Sequence, residues 1–303
     1  IVAKYNFYKK KYKKINKFLN ISVQNNIIFV ADNIGYLYSF DYNKKKILWA
    51  KKYNVGFRSN IKILNNKLIT SDENNNLFFF NKKNGEILRL IPTEETIVKS
   101  QFINNVAVND NITLFLNTYG SLYAINTDTM KILWFLNLNQ SLDLNPSNLF
   151  FSNQIVTDKD KIFVSTNKNT YIIDLFSGTI SYKKNFSSEL KPIILKDYLV
   201  SITKNNLLVV MNINNGKIVY SHDINQKIAN FIKTKKKKIK IKNIFIVNNK
   251  VMIFLKNSYV VYFNTNGIIE DVFKLPTKLN SNPIIVNKSL LYLDFKNKLS
   301  IVN

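Results

Sequence analysis

An internal repeat restricts this chain more than any other feature. Each unit reads, loosely, as short strand, Asn-rich turn, strand, turn, strand, Asn-Gly turn, and then a strand of the type Ile-Leu-Trp. The first unit runs Asn25-Asn26, residues 27–32, Asn33-Ile34-Gly35, residues 36–40 and Lys46-Ile47-Leu48-Trp49. The second carries Asn65-Asn66, residues 67–71, residues 77–81 and Asn84-Gly85-Glu86-Ile87-Leu88-Arg89. The third has Gly120-Ser121-Leu122-Tyr123-Ala124-Ile125-Asn126 and Lys131-Ile132-Leu133-Trp134. Ser177-Gly178, Asn215-Gly216 and Asn266-Gly267 mark the last turn of three more units, and a seventh opens at Ser281-Asn282-Pro283 and stops at Asn303, one strand short.

The place of Trp49 recurs at Arg89, Trp134, Tyr182, Tyr220 and Asp271, in steps of 40, 45, 48, 38 and 51 residues. A mean of about 44 is the period of four-stranded propeller blades. Six of the seven glycines fall in the two hairpin turns of the repeat, where backbone with positive φ is needed. The apolar segments alternate with period two and are rich in Ile, Val, Phe and Tyr, which leaves helix under about a tenth of the chain. The expected fold is therefore all-β: a β-propeller of four-stranded antiparallel blades. Seven blades are visible in this chain, and eight are possible in a longer parent. It is read as a single domain over residues 1–303, with residues 1–17 an outer strand plus basic linker and blades from about residue 18 onward. Val2 to Tyr8 reads as the outer strand that the seventh unit lacks.

Composition narrows the function classes. Apolar residues make up 46% of the chain, too many for disorder, and no apolar run approaches the ~20 residues that span a bilayer. The net charge is +25, a value that ordinarily points to a polyanion. Lys, Asn and Ile all have AT-rich codons, however, so an AT-biased genome accounts for that surface with no specific nucleic-acid partner. The absence of cysteine removes disulfides, thiol nucleophiles and thiolate metal sites. The chain opens on Ile1, so a processed or truncated N-terminus is expected, with any signal peptide or lipid-attachment cysteine upstream.

A blade ending in [Asn/Ser]-Gly-x-Ile-x-[Trp/Tyr], without a Trp-Asp dipeptide or an opening Gly-His, resembles the PQQ-like repeat β-propellers. Within them the order of features is most similar to the BamB type, lipoproteins of the outer-membrane protein assembly machinery. The resemblance spans nearly the whole chain and includes the abrupt end at residues 298–303. Leu138-Asn139-Gln140-Ser141-Leu142-Asp143-Leu144-Asn145-Pro146-Ser147 is similar to the segment through which that family contacts its barrel partner, BamA. Asn145 stands where the family motif has arginine, and of an acidic pair before the fifth unit only Glu189 is present. The resemblance implies a non-enzymatic binding scaffold docking on the barrel component through inter-blade loops. It would be a monomer within a complex, at the periplasmic face of the outer membrane, touching the membrane only through an upstream lipid anchor. Leu142, Leu144 and Asn145 are the expected partner-binding residues. Alternation puts both leucines on one side of an extended segment; they either dock a partner or tuck beneath the loop.

Two rival classes share the architecture: a quinone-linked oxidoreductase and a polyanion-binding propeller. Quinone enzymes of this type imply calcium, acidic ligands and often a vicinal cysteine pair, whereas this chain has 19 acids and no cysteine. No catalytic, cofactor-binding or metal residue is therefore assigned. His222, the only histidine, reads as an exposed residue near a surface turn. Trp49 and Trp134 read as packing between adjacent blades, and Asp32 and Asp72 as turn residues whose side chains bond the local backbone. Lys235–Lys238, extended by Lys240 and Lys242, is either a solvated inter-blade loop or an anion-contacting patch.

Overall fold

The computed structural model describes residues 7–12, 14–95, 103–139, 150–287 and 289–302. Its strands form seven antiparallel sheets, at residues 19–52, 62–91, 105–137, 156–184, 193–223, 241–274 and 284–302. Consecutive strands pair in every sheet; six sheets have four strands and the last has three. The fold is thus the all-β, seven-bladed propeller that the repeat predicts. The chain divides into two compact units, Ile1–Lys183 and Lys184–Asn303. Among the described residues no helix is long and apolar enough to cross a membrane.

The alternation in the sequence becomes packing between neighbouring sheets. In the second sheet Leu68, Phe78 and Phe80 join Phe29, Ala31 and Leu37 of the first. The residues between them, Ile69, Leu77 and Phe79, join Phe115, Tyr123 and Ile125 of the third. Leu114, Leu116 and Leu122 then meet Ile162, Val164 and Ile173 of the fourth. In the second unit Val200 and Leu208 pack on Ile253 and Phe263, and Met252 and Phe254 pack on Leu290 and Tyr292. Central strands are therefore apolar on both faces, as buried strands are. Outermost strands such as Lys131–Asn137 are largely exposed.

The repeat register holds at the level of single residue pairs. Trp49 pairs with Ser39, Arg89 with Phe79, Trp134 with Ala124, Tyr220 with Val210 and Asp271 with Tyr262, and in each sheet a register shift follows at once. The turn beyond it is also shared. An Asx side chain (Asp41, Asn81, Asn126, Asp174, Asn212 or Asn264) accepts backbone N–H groups two or more residues on. The chain then takes one left-handed step, at Gly85 (φ 74°), Gly178 (73°), Gly216 (65°) and Gly267 (71°) but at Lys45 (53°) and Met130 (54°) in the first and third sheets. A side chain is strained there. Lys45 is exposed, so Lys45→Gly is expected to raise the unfolding free energy by about 0.5 kcal/mol, the relieved strain exceeding the entropy that glycine adds to the unfolded chain. A denaturant titration measures it.

Two details of the sequence reading change, and one short helix appears within the small helical share expected. The strand Ile218–Asp223 runs through His222, which is half-buried and stacks on Tyr220 with ring centroids 4.7 Å apart, so it is not an exposed turn residue. A helix, Ile224–Phe231, follows directly; Asp223 Oδ1 caps it by accepting the Gln226 N–H at 3.1 Å. Its Ile224 and Ile228 are buried in the core of the fifth and sixth sheets. Of the strand expected at Val2–Tyr8, residues 2–6 lie outside the described residues. Phe7 and Tyr8 lie in no strand, and the Tyr8 O–H donates to Asp32 Oδ2 at 2.7 Å.

Candidate partner-binding surface

Connections between sheets are where a rigid propeller presents variable chain. The connection from the third sheet to the fourth leaves from a tight knot. The Leu138 N–H donates to the Gly120 carbonyl at 2.8 Å, and the Asn139 N–H donates to Asn137 Oδ1 at 2.8 Å. It returns at Phe150, whose ring lies against Gly120; a Cβ added at that glycine would sit 2.8 Å from both Asn139 Cβ and Phe150 Cδ2. Leu138 and Phe150 share one buried cluster with Leu122 and Tyr171. Leu142, Leu144 and Asn145 fall within residues 140–149, outside the described residues; the flanking Leu138 and Phe150 lie in one buried cluster.

Beside the returning end lies a pocket of about 270 Å³, lined by Asn20, Asn60, Asn104, Asn105, Asn153 and Gln154 with Ile103, Phe151 and Ser152. Its amides stitch neighbouring strands. Asn60 Nδ2 donates to the Val106 carbonyl at 2.9 Å while Asn60 Oδ1 accepts the Val106 N–H at 3.0 Å, and Asn105 Nδ2 donates to the Asn153 carbonyl at 3.1 Å. Asn104 Nδ2 donates to Ser71 Oγ and to the Asp72 carbonyl, while its Oδ1 is buried without a hydrogen bond among the described residues. Among the described residues the lining is neutral and amide-rich, suited to polar uncharged groups.

Asp32, Asp72 and Glu94 are held in structural roles. Asp32 and Asp72 are buried, and each Oδ1 accepts two backbone N–H groups of its own turn, Ile34 and Tyr36 or Asn74 and Asn76. Burial raises the pKa of Asp72. Glu94, on the connection after the second sheet, accepts Ser121 Oγ at 2.8 Å, the Tyr123 O–H at 2.8 Å and Asn117 Nδ2 at 2.9 Å. Burial disfavours its charge, but these hydrogen bonds, with one from its own backbone, outweigh that and lower its pKa. Burial and the Glu94 charge push the Tyr123 phenol up. No sequence motif marks this network. Among the described residues no group of three His, Asp or Glu lies close enough together to hold a metal ion.

The tryptophans join neighbouring blades. Trp49 Nε1 donates to the Lys82 carbonyl at 3.1 Å and Trp134 Nε1 to the Leu175 carbonyl at 3.0 Å, equivalent places in the following blades. Each ring lies over the left-handed glycine of that blade's last turn, Gly85 or Gly178. Tyr220 and His222 cover Gly267 in the same manner. Lys235–Lys238 are exposed on the segment between the helix and the next sheet.

Comparison with known proteins agrees with this architecture. The family model described as outer membrane protein assembly factor BamB matches residues 14–221 and 119–267. The outer membrane protein assembly factor BamB of Shewanella oneidensis is 25% identical over 217 residues, 64% of this chain and 54% of that protein. The BamB of Moranella endobia is 22% identical over 231 residues, 68% of this chain and 57% of that protein. The chain thus spans little more than half the length of these curated relatives. Among solved structures, BamB from Moraxella catarrhalis superposes with a TM-score of 0.75 at 13% identity, covering 94% of this chain and 83% of that one. The computationally designed Ika8 protein gives a TM-score of 0.58 at 10% identity, over 94% of this chain and 96% of that one.

Proposed function

This chain belongs to the family of the outer membrane protein assembly factor BamB, and we propose that it is a non-enzymatic scaffold in outer-membrane protein assembly. In this reading it works at the periplasmic face of the outer membrane, held by a lipid anchor upstream of the residues described. It docks as a monomer on the periplasmic part of the barrel-forming assembly protein. The family match over residues 14–267 is the observation that carries the proposal. The docking surface is the connection bearing Leu142, Leu144 and Asn145. The buried anchors at Leu138 and Phe150 favour it, because chain held at both ends loses less entropy on binding than a free loop.

The test is affinity capture with the soluble domains of the barrel component from the same organism. The unaltered chain is expected to bind, and Leu142→Glu with Leu144→Glu is expected to weaken binding about 30-fold or more, as loss of a hot spot does. The melting temperature should stay unchanged. Normal binding by the double variant, or its unfolding, assigns the leucines to the core and moves the site elsewhere. Failure of the unaltered chain to bind overturns the scaffold reading itself.

A further inference from the structure

The densest basic segment of the chain begins where the helix Ile224–Phe231 ends. Residues 231–240 contain six lysines, Lys233, Lys235–Lys238 and Lys240, and no acid. All six are exposed. Immediately before them Phe231 and Ile232 are 45% and 49% exposed, whereas the other apolar residues of the same helix, Ile224, Ile228 and Ala229, are buried. Cations are favoured at this end of a helix by its unsatisfied carbonyl groups.

The segment is also fastened. Asn206, itself buried, donates from Nδ2 to the Ile239 carbonyl at 2.8 Å and to Asn225 Oδ1 at 3.1 Å. Asn225 Oδ1 accepts the Ile239 N–H at 3.0 Å, and Lys236 Nζ lies 2.6 Å from Asp223 Oδ2. The basic run is thus tied to the helix start and to the fifth sheet, with the remaining lysines turned to solvent.

We propose that Phe231, Ile232 and the lysines at 233–240 form a docking surface for an anionic phospholipid membrane. The lysines alone would suit any polyanion. Two large apolar side chains exposed beside them favour a bilayer over a nucleic-acid duplex: the duplex's phosphate backbone gives them nothing to bury against, while the boundary between headgroups and acyl chains takes them out of water. Each lysine near an anionic bilayer strengthens binding roughly fivefold. The surface would act in addition to any lipid anchor, fixing which side of the propeller faces the bilayer. It stands independently of the docking segment at residues 140–149.

The test is co-sedimentation of the full chain with phosphatidylcholine vesicles, with and without phosphatidylglycerol, at low and at high salt. Binding is expected only to the anionic vesicles and should weaken with salt. Replacing Lys235, Lys236, Lys237 and Lys238 together by Gln should lower partitioning by on the order of 100-fold or more. Phe231→Ser with Ile232→Ser should lower it about tenfold at both salt concentrations, because screening acts on the lysines and not on apolar burial. Both sets of side chains are exposed and the Lys236–Asp223 pair removed by the lysine variant lies at the surface, so the melting temperature should move little. Equal binding to neutral vesicles, or no loss in the lysine variant, overturns the proposal. So does normal vesicle binding by the Phe231/Ile232 variant together with tight binding of a DNA duplex, which would make the patch a general polyanion surface.

Discussion

Trp134→Ala is expected to lower the unfolding free energy by about 3 kcal/mol, measured by denaturant titration. The residue lies on an outer strand and is half-buried, which on burial alone would predict less. Its ring, however, covers Gly178 so closely that a Cβ there would sit 2.6 Å from Trp134 Cδ2, and its indole N–H satisfies the Leu175 carbonyl of the next blade. Truncation removes the ring, opens a void over the turn and leaves that carbonyl to water. Gly178→Ala should be of comparable effect by the converse route, adding a methyl group inside the ring's contact distance at φ 73°. Leu133, next in sequence and 50% exposed, is the control; its alanine variant should stay within about 0.5 kcal/mol of the parent. A loss at Trp134 no larger than at Leu133 would show that the clasp between blades contributes nothing.

Glu94→Ala should cost about 3 kcal/mol or more at neutral pH, because it takes the carboxylate acceptor from Ser121 Oγ and the Tyr123 hydroxyl and leaves Asn117 Nδ2 with Thr93 Oγ1 alone, all three donors being on buried residues. Glu94→Gln keeps the shape but turns an amide N–H toward donors, and should cost somewhat less. The pH dependence separates charge from shape. The folded pKa of Glu94 is lowered, so its contribution is complete above the ordinary glutamate value of about 4.3 and is lost as pH falls through the lower folded value. Asp72 has the opposite sign: its pKa is raised, so its contribution is complete below the ordinary aspartate value and is lost as pH rises through the folded one. Stability of the parent should therefore fall on acidification below about pH 4, and that fall should be shallower in Glu94→Gln. Equal acid limbs in the two proteins would assign the fall to other carboxylates.

The repeat was legible because hairpin turns and blade contacts both leave local marks. Gly85, Gly178, Gly216 and Gly267 sit where the backbone turns left-handed, and Trp49 and Trp134 sit at matching ladder positions beside matching bulges. The helix Ile224–Phe231 left no such mark. It is eight residues long, and its Ile224 and Ile228 also read as the end of one strand and the start of a loop. His222 was misplaced because what holds it, Gly267, is 45 residues away on another sheet. Glu94 was invisible for a similar reason: its three donors come from the turn and strand at residues 117–123, and nothing in the segment around it announces them. Long-range polar satisfaction is a property of the folded geometry and not of any window of sequence.

The last turn of the repeat also bears on chemical ageing. Asn84-Gly85, Asn215-Gly216 and Asn266-Gly267 are the kind of dipeptide that deamidates readily in an unfolded chain, where the unhindered glycine nitrogen attacks the preceding side-chain amide. Here each glycine N–H is engaged, by the carbonyl of Asn81 at 2.8 Å, of Asn212 at 2.9 Å and of Asn264 at 3.0 Å. Side chains occupy the same turns: Asn84 Oδ1 accepts the Glu86 N–H and Asn215 Oδ1 the Lys217 N–H. Attack requires the turn to open first. Succinimide formation at these three places therefore acts as a slow clock for local unfolding at the outer edge of those three blades, and one of them that loses its clasp will age faster than the others.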